Sequence, residues 1–402
     1  MSEMTTSGRP RAAPRLSVDA DFATTIARDL VRIDSVNPSL APGGAGEAMV
    51  AGYVAEMLDG LGLDVDVIEH APGRLSVVGR LAGSGGGRSL MLNAHSDTVG
   101  IDGMAAPFGG EIRDGRLHGR GAYDMKGSLA SCLAAVKAIR DAGLRPRGDI
   151  VVAAVADEEH ASIGTAEVAA KYPVDAAIVT EPTSLDLCVA HEGFAWLEVV
   201  TRGRAAHGSR PDLGVDANLR MGRVLDGLAR LERELRERQP HPLLGHGSIH
   251  AATIHGGTGL STYAERCTLG IERRTLPGES DEQAVAEIEA ILDAIRADDP
   301  GFDATARLTL ARPAFETAAS SRIAPIVETA ARHVLGRPIR RRGETPWMDS
   351  ALLAAAGTDV VVIGPHGTGA HAREEWVDLG SVVQLAEVLA WAALGYASVE
   401  GP

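Results

Sequence analysis

Histidine and acidic residues follow several apolar, strand-like segments of this sequence. The segments and the polar residues after them are Ser89–Asn93 with His95 and Asp97, Ile150–Val155 with Asp157-Glu158-Glu159, and Ala176–Val179 with Glu181. Nearly continuous apolar runs are typical of buried parallel strands, and ligands gather at the carboxyl ends of such strands. Acids at the end of a buried strand need a positive partner, and no Lys or Arg nearby in the sequence supplies one. We therefore expect these side chains to form a ligand-binding site.

Two further segments add candidates of the same chemical type. Asp124 lies in a glycine-rich turn before a predicted helix, and His366 and His371 follow the last predicted strand. Taken singly, the aspartate is typical of a helix N-cap and each histidine of a polar loop. Together with the other carboxylates they form a nitrogen and oxygen donor set suited to zinc, or to cobalt or manganese.

The sequence lacks the motifs of several other kinds of active site. The run Gly83–Gly87 lacks the third glycine of a dinucleotide-binding loop and is predicted to be a hairpin loop. His191-Glu192 has no second histidine four residues on, and no G-x-S-x-G serine elbow is present.

The elements that must position the site alternate between strand and helix at both ends of the chain. Apolar residues at helical spacing predict the helices at Phe22–Ile33, Glu47–Leu61, Gly127–Ala142, Gly164–Lys171, Ile323–Val334, Met348–Ala356 and Gly380–Leu394. With the strands above and Val360–Ile363, this order predicts an α/β domain whose central mixed sheet is flanked by helices.

The middle of the chain has a different order of elements. Strands are predicted at Trp196–Val200, Ser248–His255, Cys267–Arg273 and Thr305–Leu310, and helices at Val215–Leu235 and Asp281–Ala297. The resulting β-α-β-β-α-β order is that of a ferredoxin-like α+β domain. We predict that this domain, 191–312, is inserted into a catalytic domain formed by 1–190 and 313–402, in which 1–16 is a flexible arm.

Composition limits the partners and the compartment. The formal net charge of −15 argues against a broad nucleic-acid or anionic-lipid surface, and no apolar run approaches the roughly 20 residues of a membrane helix. The three widely spaced cysteines argue against a disulfide framework, and the N-terminus lacks the apolar stretch of a secretory signal. We expect a cytoplasmic protein with no nucleic-acid or membrane partner.

The order of motifs resembles one family. The motifs are His-Ser-Asp-Thr-Val, Gly-Ala-x-Asp-Met-Lys-Gly, Asp-Glu-Glu, Glu-Pro-Thr and a late Ala-His, spread with the inserted domain over about residues 22 to 395. They resemble the co-catalytic di-zinc hydrolases and metallopeptidases that include acetylornithine deacetylase, succinyl-diaminopimelate desuccinylase, aminoacylase and carboxypeptidase G.

The resemblance implies a role for each matching residue. Asp124 would bridge two Zn²⁺ ions, with Co²⁺ or Mn²⁺ as alternatives. The remaining ligands would be His95 and Glu181 at one metal, and Glu159 and His371 at the other. Asp97 would support His95, and Glu158 would be the general base.

Two residues of the inserted domain also match. His207 would stabilise the oxyanion, in its own or a partner subunit's site, and Arg274 would bind a substrate carboxylate. The sequence departs from the family at Glu272, where Asp is usual, at Asp216, where Asn is common, and at Trp347-Met348-Asp349-Ser350, which replaces a Gly-Thr-Asp-Ala-like segment. None of these departures is a proposed metal ligand.

The resemblance favours hydrolysis of the amide bond of an N-acyl amino acid, because a Glu at position 181 goes with deacylases and carboxypeptidases. A carboxypeptidase or dipeptidase acting on short peptides is the alternative, and a non-catalytic binding protein is a third hypothesis. The resemblance also implies a homodimer formed through the inserted domain.

Overall fold

The computed structural model describes residues 16 to 398, and the chain divides into two compact units. Unit 1 contains the chain up to Asp186, Ser321–Ile339 and the chain from Thr358 onward, whereas unit 2 contains Leu187–Ser320 and Arg340–Gly357. Residues 187 to 190, 313 to 320 and 340 to 357, which the sequence predicts to lie in the catalytic domain, cluster with unit 2. Apart from Leu16, the predicted N-terminal arm lies outside the described residues.

The α-helices of the described residues agree closely with the predicted ones. They are α1 (Ala20–Arg32), α2 (Ala48–Gly60), α3 (Gly127–Asp141), α4 (Ile163–Lys171), α5 (Ala217–Glu237), α6 (Asp281–Asp298), α7 (Ile323–Leu335), α8 (Ser350–Ala355) and α9 (Leu379–Ala397).

The strands include the predicted ones and several short ones that were not predicted. They are β1 (Asp64–Ala71), β2 (Arg74–Leu81), β3 (Leu90–His95), β4 (Glu111–Arg113), β5 (Arg116–His118), β6 (Ile150–Val155), β7 (Ala176–Val179), β8 (Leu187–His191), β9 (Gly193–Arg202), β10 (Ser248–Gly256), β11 (Arg266–Thr275), β12 (Asp303–Arg312), β13 (Phe315–Glu316), β14 (Arg341–Glu344), β15 (Asp359–Val362), β16 (Gly367–Thr368) and β17 (Trp376–Asp378).

Unit 1 is built on a mixed sheet in which its strands follow the order β1-β2-β6-β3-β7-β15. Strands β6, β3, β7 and β15 are parallel, and β1 and β2 are antiparallel additions at one side. Every residue of β3, β6 and β7 is buried, which explains their continuous apolar sequences. Helices such as α2, α3 and α9 pack on this sheet. The predicted α/β class with a central mixed sheet is confirmed.

The predicted hairpin at Gly83–Gly87 is wrong. This loop connects β2 to β3, but β6 lies between those two strands and pairs with both. The glycines instead allow the loop to approach other backbone closely: a side chain at Gly87 would lie 2.2 Å from the amide nitrogen of Gly148.

Helix α9 has the length and hydropathy of a membrane span, although none was expected from the sequence. More than half of it is buried within unit 1, where it contacts α1, α3 and α7. Such burial is typical of the core helix of a globular domain.

A small antiparallel sheet of unit 1, ordered β16-β17-β5-β4, brings distant parts of the chain together. Strand β17 pairs with β5, so the loop between β16 and β17, which contains His371, is anchored to the segment that precedes Asp124.

Unit 2 contains a four-stranded antiparallel sheet in the order β10-β11-β9-β12, and α5 and α6 pack on it. The elements occur along the chain in the β-α-β-β-α-β order read from the sequence. Asp216 caps α5 by accepting from the amides of Asn218 and Leu219, a role that Asp and Asn fill equally well. Residues 340 to 357 join unit 2 because β14 pairs with β8 and α8 contacts β13.

Candidate metal centre

The parallel strands of unit 1 deliver the predicted side chains to one edge of the sheet. His95 is the last residue of β3, Glu158 and Glu159 follow β6, Glu181 follows β7, and His371 lies in the β16–β17 loop beyond β15. Parallel strands end at the same edge, so residues separated by up to 276 positions (371 minus 95) meet there.

His95 is buried and has carboxylates on one side of its ring. Its Nε2 lies 3.1 Å from Oδ1 of Asp124 and 3.5 Å from Oε1 of Glu181. Its Nδ1 donates to the backbone carbonyl oxygen of Asp97 at 2.9 Å. That hydrogen bond leaves Nε2 as the nitrogen that faces the two carboxylates.

Asp124 lies between the two histidines. Oδ1 of Asp124 faces His95, and Oδ2 lies 3.5 Å from Nε2 of His371. The turn that carries it, Ala122–Lys126, contains a cis peptide bond between Asp124 and Met125 and leads directly into α3. A carboxylate that presents one oxygen to each histidine has the arrangement expected of a bridging ligand.

The buried carboxylate of Glu375 holds this turn in place. It accepts hydrogen bonds from the backbone amides of Gly121, Tyr123 and Asp124, at distances of 2.9 to 3.1 Å. It also accepts from the guanidinium of Arg120 at 2.5 Å. Glu375 could not be identified from the sequence, because nothing in its local pattern separates it from the neighbouring acidic residue.

Glu159 completes the arrangement on the His371 side. Its Oε2 lies 2.9 Å from Nε2 of His371, whereas its Oε1 is buried without a hydrogen-bond partner. A buried carboxylate oxygen is costly unless something positive faces it. This orphaned oxygen is therefore consistent with a cation at the site.

Two overlapping groups of side chains could each surround a cation. His95, Glu158 and Glu181 form one, and His95, Asp124 and Glu159 form the other; within each group the ligand atoms lie within 4.8 Å of one another. Glu158 and Glu159 thus both reach the site, although neighbouring residues of an extended chain point to different sides.

Asp97 contacts the backbone of these two glutamates. Its Oδ1 accepts from the amide of Glu158 at 3.1 Å, and its Oδ2 accepts from the amide of Glu159 at 3.3 Å. Asp97 therefore orients the Glu158-Glu159 segment and also, through its carbonyl oxygen, His95.

The electrostatics of the site favour a positive charge. Burial lowers the pKa of His95, but the nearby Glu181 and Asp124 outweigh it and hold the pKa well above its usual range. Hydrogen bonds to Asp124 and Glu159 raise the pKa of His371 to about 10. Burial and the charge of Asp124 raise the pKa of Glu159. The cluster thus has an excess of negative charge that protons or a metal cation would neutralise.

The sequence matches the model of peptidase family M20/M25/M40 over residues 91 to 394. The chain belongs to this family. Families of this type hydrolyse amide bonds with the help of metal ions, and the chain is an amide-bond hydrolase of the M20 type. The resemblance seen in the motifs is confirmed.

Two curated relatives are similar over most of their length. N-formyl-4-amino-5-aminomethyl-2-methylpyrimidine deformylase of Bacillus subtilis is 29% identical over 382 residues, covering 85% of this chain and 87% of the relative. Acetylornithine deacetylase of Myxococcus xanthus is 30% identical over 361 residues, with the same coverage of 85% and 87%.

Solved structures share the M20 fold. A tripeptidase from Staphylococcus aureus superposes with a TM-score of 0.78 at 20% identity, covering 94% of this chain and 99% of that chain. An M20 family metallo-carboxypeptidase from Sulfolobus solfataricus gives a TM-score of 0.77 at 16% identity, with the same coverage. At these identities the likeness concerns the fold.

The residues present fit a divalent metal ion. The donor set contains the imidazoles of His95 and His371 and several carboxylates, and it includes the unsatisfied oxygen of Glu159. The hydrogen bonds around the ligands also suit a metal site, because they fix His95 and the turn that carries Asp124 in place.

The remaining two M20 candidates lie in unit 2. His207 is exposed, and its Nδ1 lies 2.8 Å from the hydroxyl of Ser209. Arg274 lies near the end of β11, where its guanidinium is 3.2 Å from Glu272 and stacks over the ring of Phe194. Its neighbour Arg273 is buried and pairs with Glu279 and Glu287. Arg274 is thus the more accessible of the two arginines.

Proposed function

We propose that this M20 hydrolase removes the acyl group from an N-acyl amino acid, using two divalent metal ions and a water molecule. The observation that carries the proposal is the position of Asp124, whose two oxygens face His95 and His371. Each histidine also has a carboxylate of its own, Glu181 and Glu159 respectively. The set divides naturally into two sites that share Asp124.

The five residues of this set are the proposed metal ligands: His95, Asp124, Glu159, Glu181 and His371. Zinc fits the mixed nitrogen and oxygen donors, and cobalt or manganese are alternatives. Metal ions bound there would lower the pKa of a water and polarise the scissile carbonyl group.

Glu158 is the proposed general base. It removes a proton from the attacking water as the new C–O bond forms, and it delivers that proton to the leaving nitrogen as the C–N bond breaks. The products are a carboxylic acid and an amine, which leave as a carboxylate and an ammonium group once the second proton of the water has moved to the amine. Asp97 supports this role because it holds the backbone amide of Glu158.

Two residues of unit 2 are proposed to act on the substrate. Arg274 binds the carboxylate of the amino acid through the paired donors of its guanidinium, which suit a two-oxygen acceptor. His207 donates to the oxyanion that develops on the scissile carbonyl oxygen. A curated relative named acetylornithine deacetylase supports the choice of an N-acyl amino acid.

Peptide hydrolysis is the second candidate. The fold neighbours include a tripeptidase and a metallo-carboxypeptidase, and a short peptide also carries a carboxylate that Arg274 could bind. The two candidates differ in what lies on the acyl side of the bond: a small acyl group in one and an amino acid residue in the other.

The deciding experiment measures metal content and substrate range together. Purified protein is analysed for bound metal and assayed with added zinc or cobalt on N-formyl, N-acetyl and N-succinyl amino acids and on dipeptides. Cleavage of N-acyl amino acids supports the first candidate, and cleavage of dipeptides alone would select the second. No bound metal and no activity with any substrate would leave a binding protein as the remaining hypothesis.

We further propose that the protein is a cytoplasmic homodimer that pairs through the inserted domain. Strand β10 supports the pairing, because it lies at the edge of its sheet and almost all of its residues are exposed. Three unpaired, buried cysteines support a reducing compartment. Light scattering on the purified chain tests the oligomeric state: a monomer at assay concentration would contradict the dimer.

A further inference from the structure

Four successive backbone amides after β6 donate to side chains from distant segments of unit 1. The pairs are Ala156 to Ser76 Oγ at 3.0 Å, Asp157 to Glu47 Oε1 at 3.2 Å, Glu158 to Asp97 Oδ1 at 3.1 Å and Glu159 to Asp97 Oδ2 at 3.3 Å. In a loop, consecutive amides are usually left to water or to local turns. Here the amides of residues 156 to 159 are all bound by side chains.

A hydrogen-bond network around the guanidinium of Arg74 links these acceptors. Nε and Nη2 of Arg74 donate to the two oxygens of Glu47 at 2.7 and 2.8 Å, and Nη2 also donates to Oδ1 of Asp157 at 2.6 Å. Asn37 extends the network, because its amide group donates to Asp157 at 3.0 Å and to Asp97 at 2.8 Å. Arg74 therefore contacts Glu47, the acceptor of residue 157, directly, and is connected to Asp97, the acceptor of residues 158 and 159, through Asp157 and Asn37.

The network is buried, so its hydrogen bonds are not replaced by water. Glu47 and Asn37 are fully buried and Arg74 is only 7% exposed. Burial raises the pKa of Glu47, and its pairing with Arg74 opposes that rise. Removing the cation would leave two buried carboxylates, Glu47 and Asp157, without their partner.

Asp157 shows that the segment is held in an uncommon conformation. Its φ of +68° lies in the left-handed region, which residues other than glycine rarely adopt. Its side chain is held by Arg74 and Asn37 while its carbonyl oxygen accepts from the amides of Ala161 and Ser162. Such conformations persist only where the surroundings determine them.

We propose that Arg74 is a positioning residue for the reaction. It holds Glu47 and Asp157 so that the Glu158-Glu159 segment leaves β6 with both carboxylates directed to the metal centre. The inference rests on the proposed function insofar as Glu158 is the general base and Glu159 a metal ligand. The effect of Arg74 on metal affinity and on the order of the segment can be measured without any substrate.

The test compares Arg74→Met and Arg74→Lys with Arg80→Met in the full-length protein. Arg80 is the matched control, because it lies on the same strand and also pairs with two acids, Asp64 and Asp149, but at the surface. Three quantities are measured: zinc affinity by competition with a chelator, amide hydrogen exchange of residues 156 to 160, and kcat and KM on the best substrate.

We expect Arg74→Met to weaken zinc binding and to lower kcat, each by about 10- to 100-fold, with KM changed by less than about threefold. Exchange at residues 156 to 160 should accelerate more than at other buried amides. Arg74→Lys keeps the positive charge but loses the paired N–H donors of the guanidinium, so it should give smaller changes of the same kind. Arg80→Met should change none of the three quantities.

Unchanged zinc affinity and unchanged local exchange in a folded Arg74 variant would overturn the proposal. If Arg74→Met does not fold, Arg74→Lys decides in the same way. If the wild-type chain cleaves none of the substrates, the proposed function fails, but zinc affinity and exchange still test the role of Arg74. If it cleaves a substrate and the Arg74 variants match Arg80→Met in all three quantities, only the inference about Arg74 fails.

Discussion

The Nδ1 atom of His95 lies 2.9 Å from the backbone carbonyl oxygen of Asp97 and 3.7 Å from the carboxylate of the same residue. A carbonyl oxygen only accepts hydrogen bonds, so Nδ1 carries a hydrogen, and Nε2 is the nitrogen whose lone pair a bound metal ion would use. The tautomer of His95 is thus set by the backbone of Asp97. The Asp97 side chain binds the amides of Glu158 and Glu159 instead.

Replacing Asp97 by Asn should therefore impair the enzyme through the Glu158-Glu159 segment. The variant side chain has one oxygen for two backbone donors, and its amino group would face a backbone N–H. We expect kcat to fall by about 10- to 100-fold, with the global unfolding midpoint little changed. Steady-state kinetics and thermal unfolding measure both. Wild-type kcat would contradict the positioning role of Asp97.

Glu158→Gln should separate proton transfer from metal binding. The amide retains the shape of the side chain but cannot accept the proton of the attacking water, so kcat should fall by ~10² to 10⁴-fold. Metal content, measured on the same preparation, should stay near that of the wild type.

Glu159→Gln is the matched comparison for that experiment. Glu159 faces His371 and is a proposed ligand, so this variant should lose metal affinity as well as activity. If Glu158→Gln lost its metal and Glu159→Gln kept it, the roles assigned to the two glutamates would have to be exchanged.

The strands that carry the site could be predicted because each one is an apolar run that stops at a clear position in the sequence. The apolar run at β6 stops at Val155 and the run at β7 stops at Val179, and acidic residues follow each within a few positions. A strand buried on both faces leaves no place for a polar side chain until it reaches the edge of the sheet. The end of each apolar run therefore predicted both the end of the strand and the candidate ligand that follows it.

The contacts that hold the site could not be predicted, because they join distant residues. Arg74 neutralises Asp157 from 83 positions away, whereas no Lys or Arg lies near the Asp-Glu-Glu segment in the sequence. The hairpin expected at Gly83–Gly87 failed for a related reason: β6, which separates β2 from β3, comes about 60 residues later in the chain. Local patterns indicate elements, but the order of strands depends on packing.

Arg274→Met should weaken recognition of substrates that carry a carboxylate. A charged hydrogen-bond pair contributes about 1.5 to 3 kcal/mol, so kcat/KM should fall by roughly 10- to 100-fold, mostly through KM. Arg266→Met is the control, since Arg266 lies at the other end of β11 and is exposed. On the corresponding substrate amide, which lacks the carboxylate, the kcat/KM values of wild type and Arg274→Met should differ far less. Equal losses on both substrates would contradict the assignment.

His207→Ala should lower kcat without loss of metal. The proposed donor acts on charge that develops on the carbonyl oxygen, and removing such a donor costs about 10² to 10³-fold in kcat. His333→Ala, at an exposed histidine of α7, is the control. An unaffected rate in His207→Ala would rule out the oxyanion role.

Buried His191 should make the protein less stable in mild acid. Its Nδ1 donates to the carbonyl oxygen of Glu192 and its Nε2 lies 2.8 Å from the hydroxyl of Ser350, so the structure holds the neutral ring. Burial lowers the pKa of His191 to about 4, well below the usual value of about 6.5 for histidine. Below pH 6.5 the unfolded chain therefore binds a proton that the folded chain does not.

It follows that the stability contributed by His191 is fully present above about pH 6.5 and is lost as the pH falls toward 4, by up to about 1.4 kcal/mol per pH unit. Denaturant unfolding of the wild type and of His191→Gln at pH 7.5, 6, 5 and 4.5 measures this slope. His191→Gln should be less stable at pH 7.5 but should lose less stability on acidification, because it lacks the titrating ring. Equal slopes in the two proteins would show that His191 does not remain neutral in the fold.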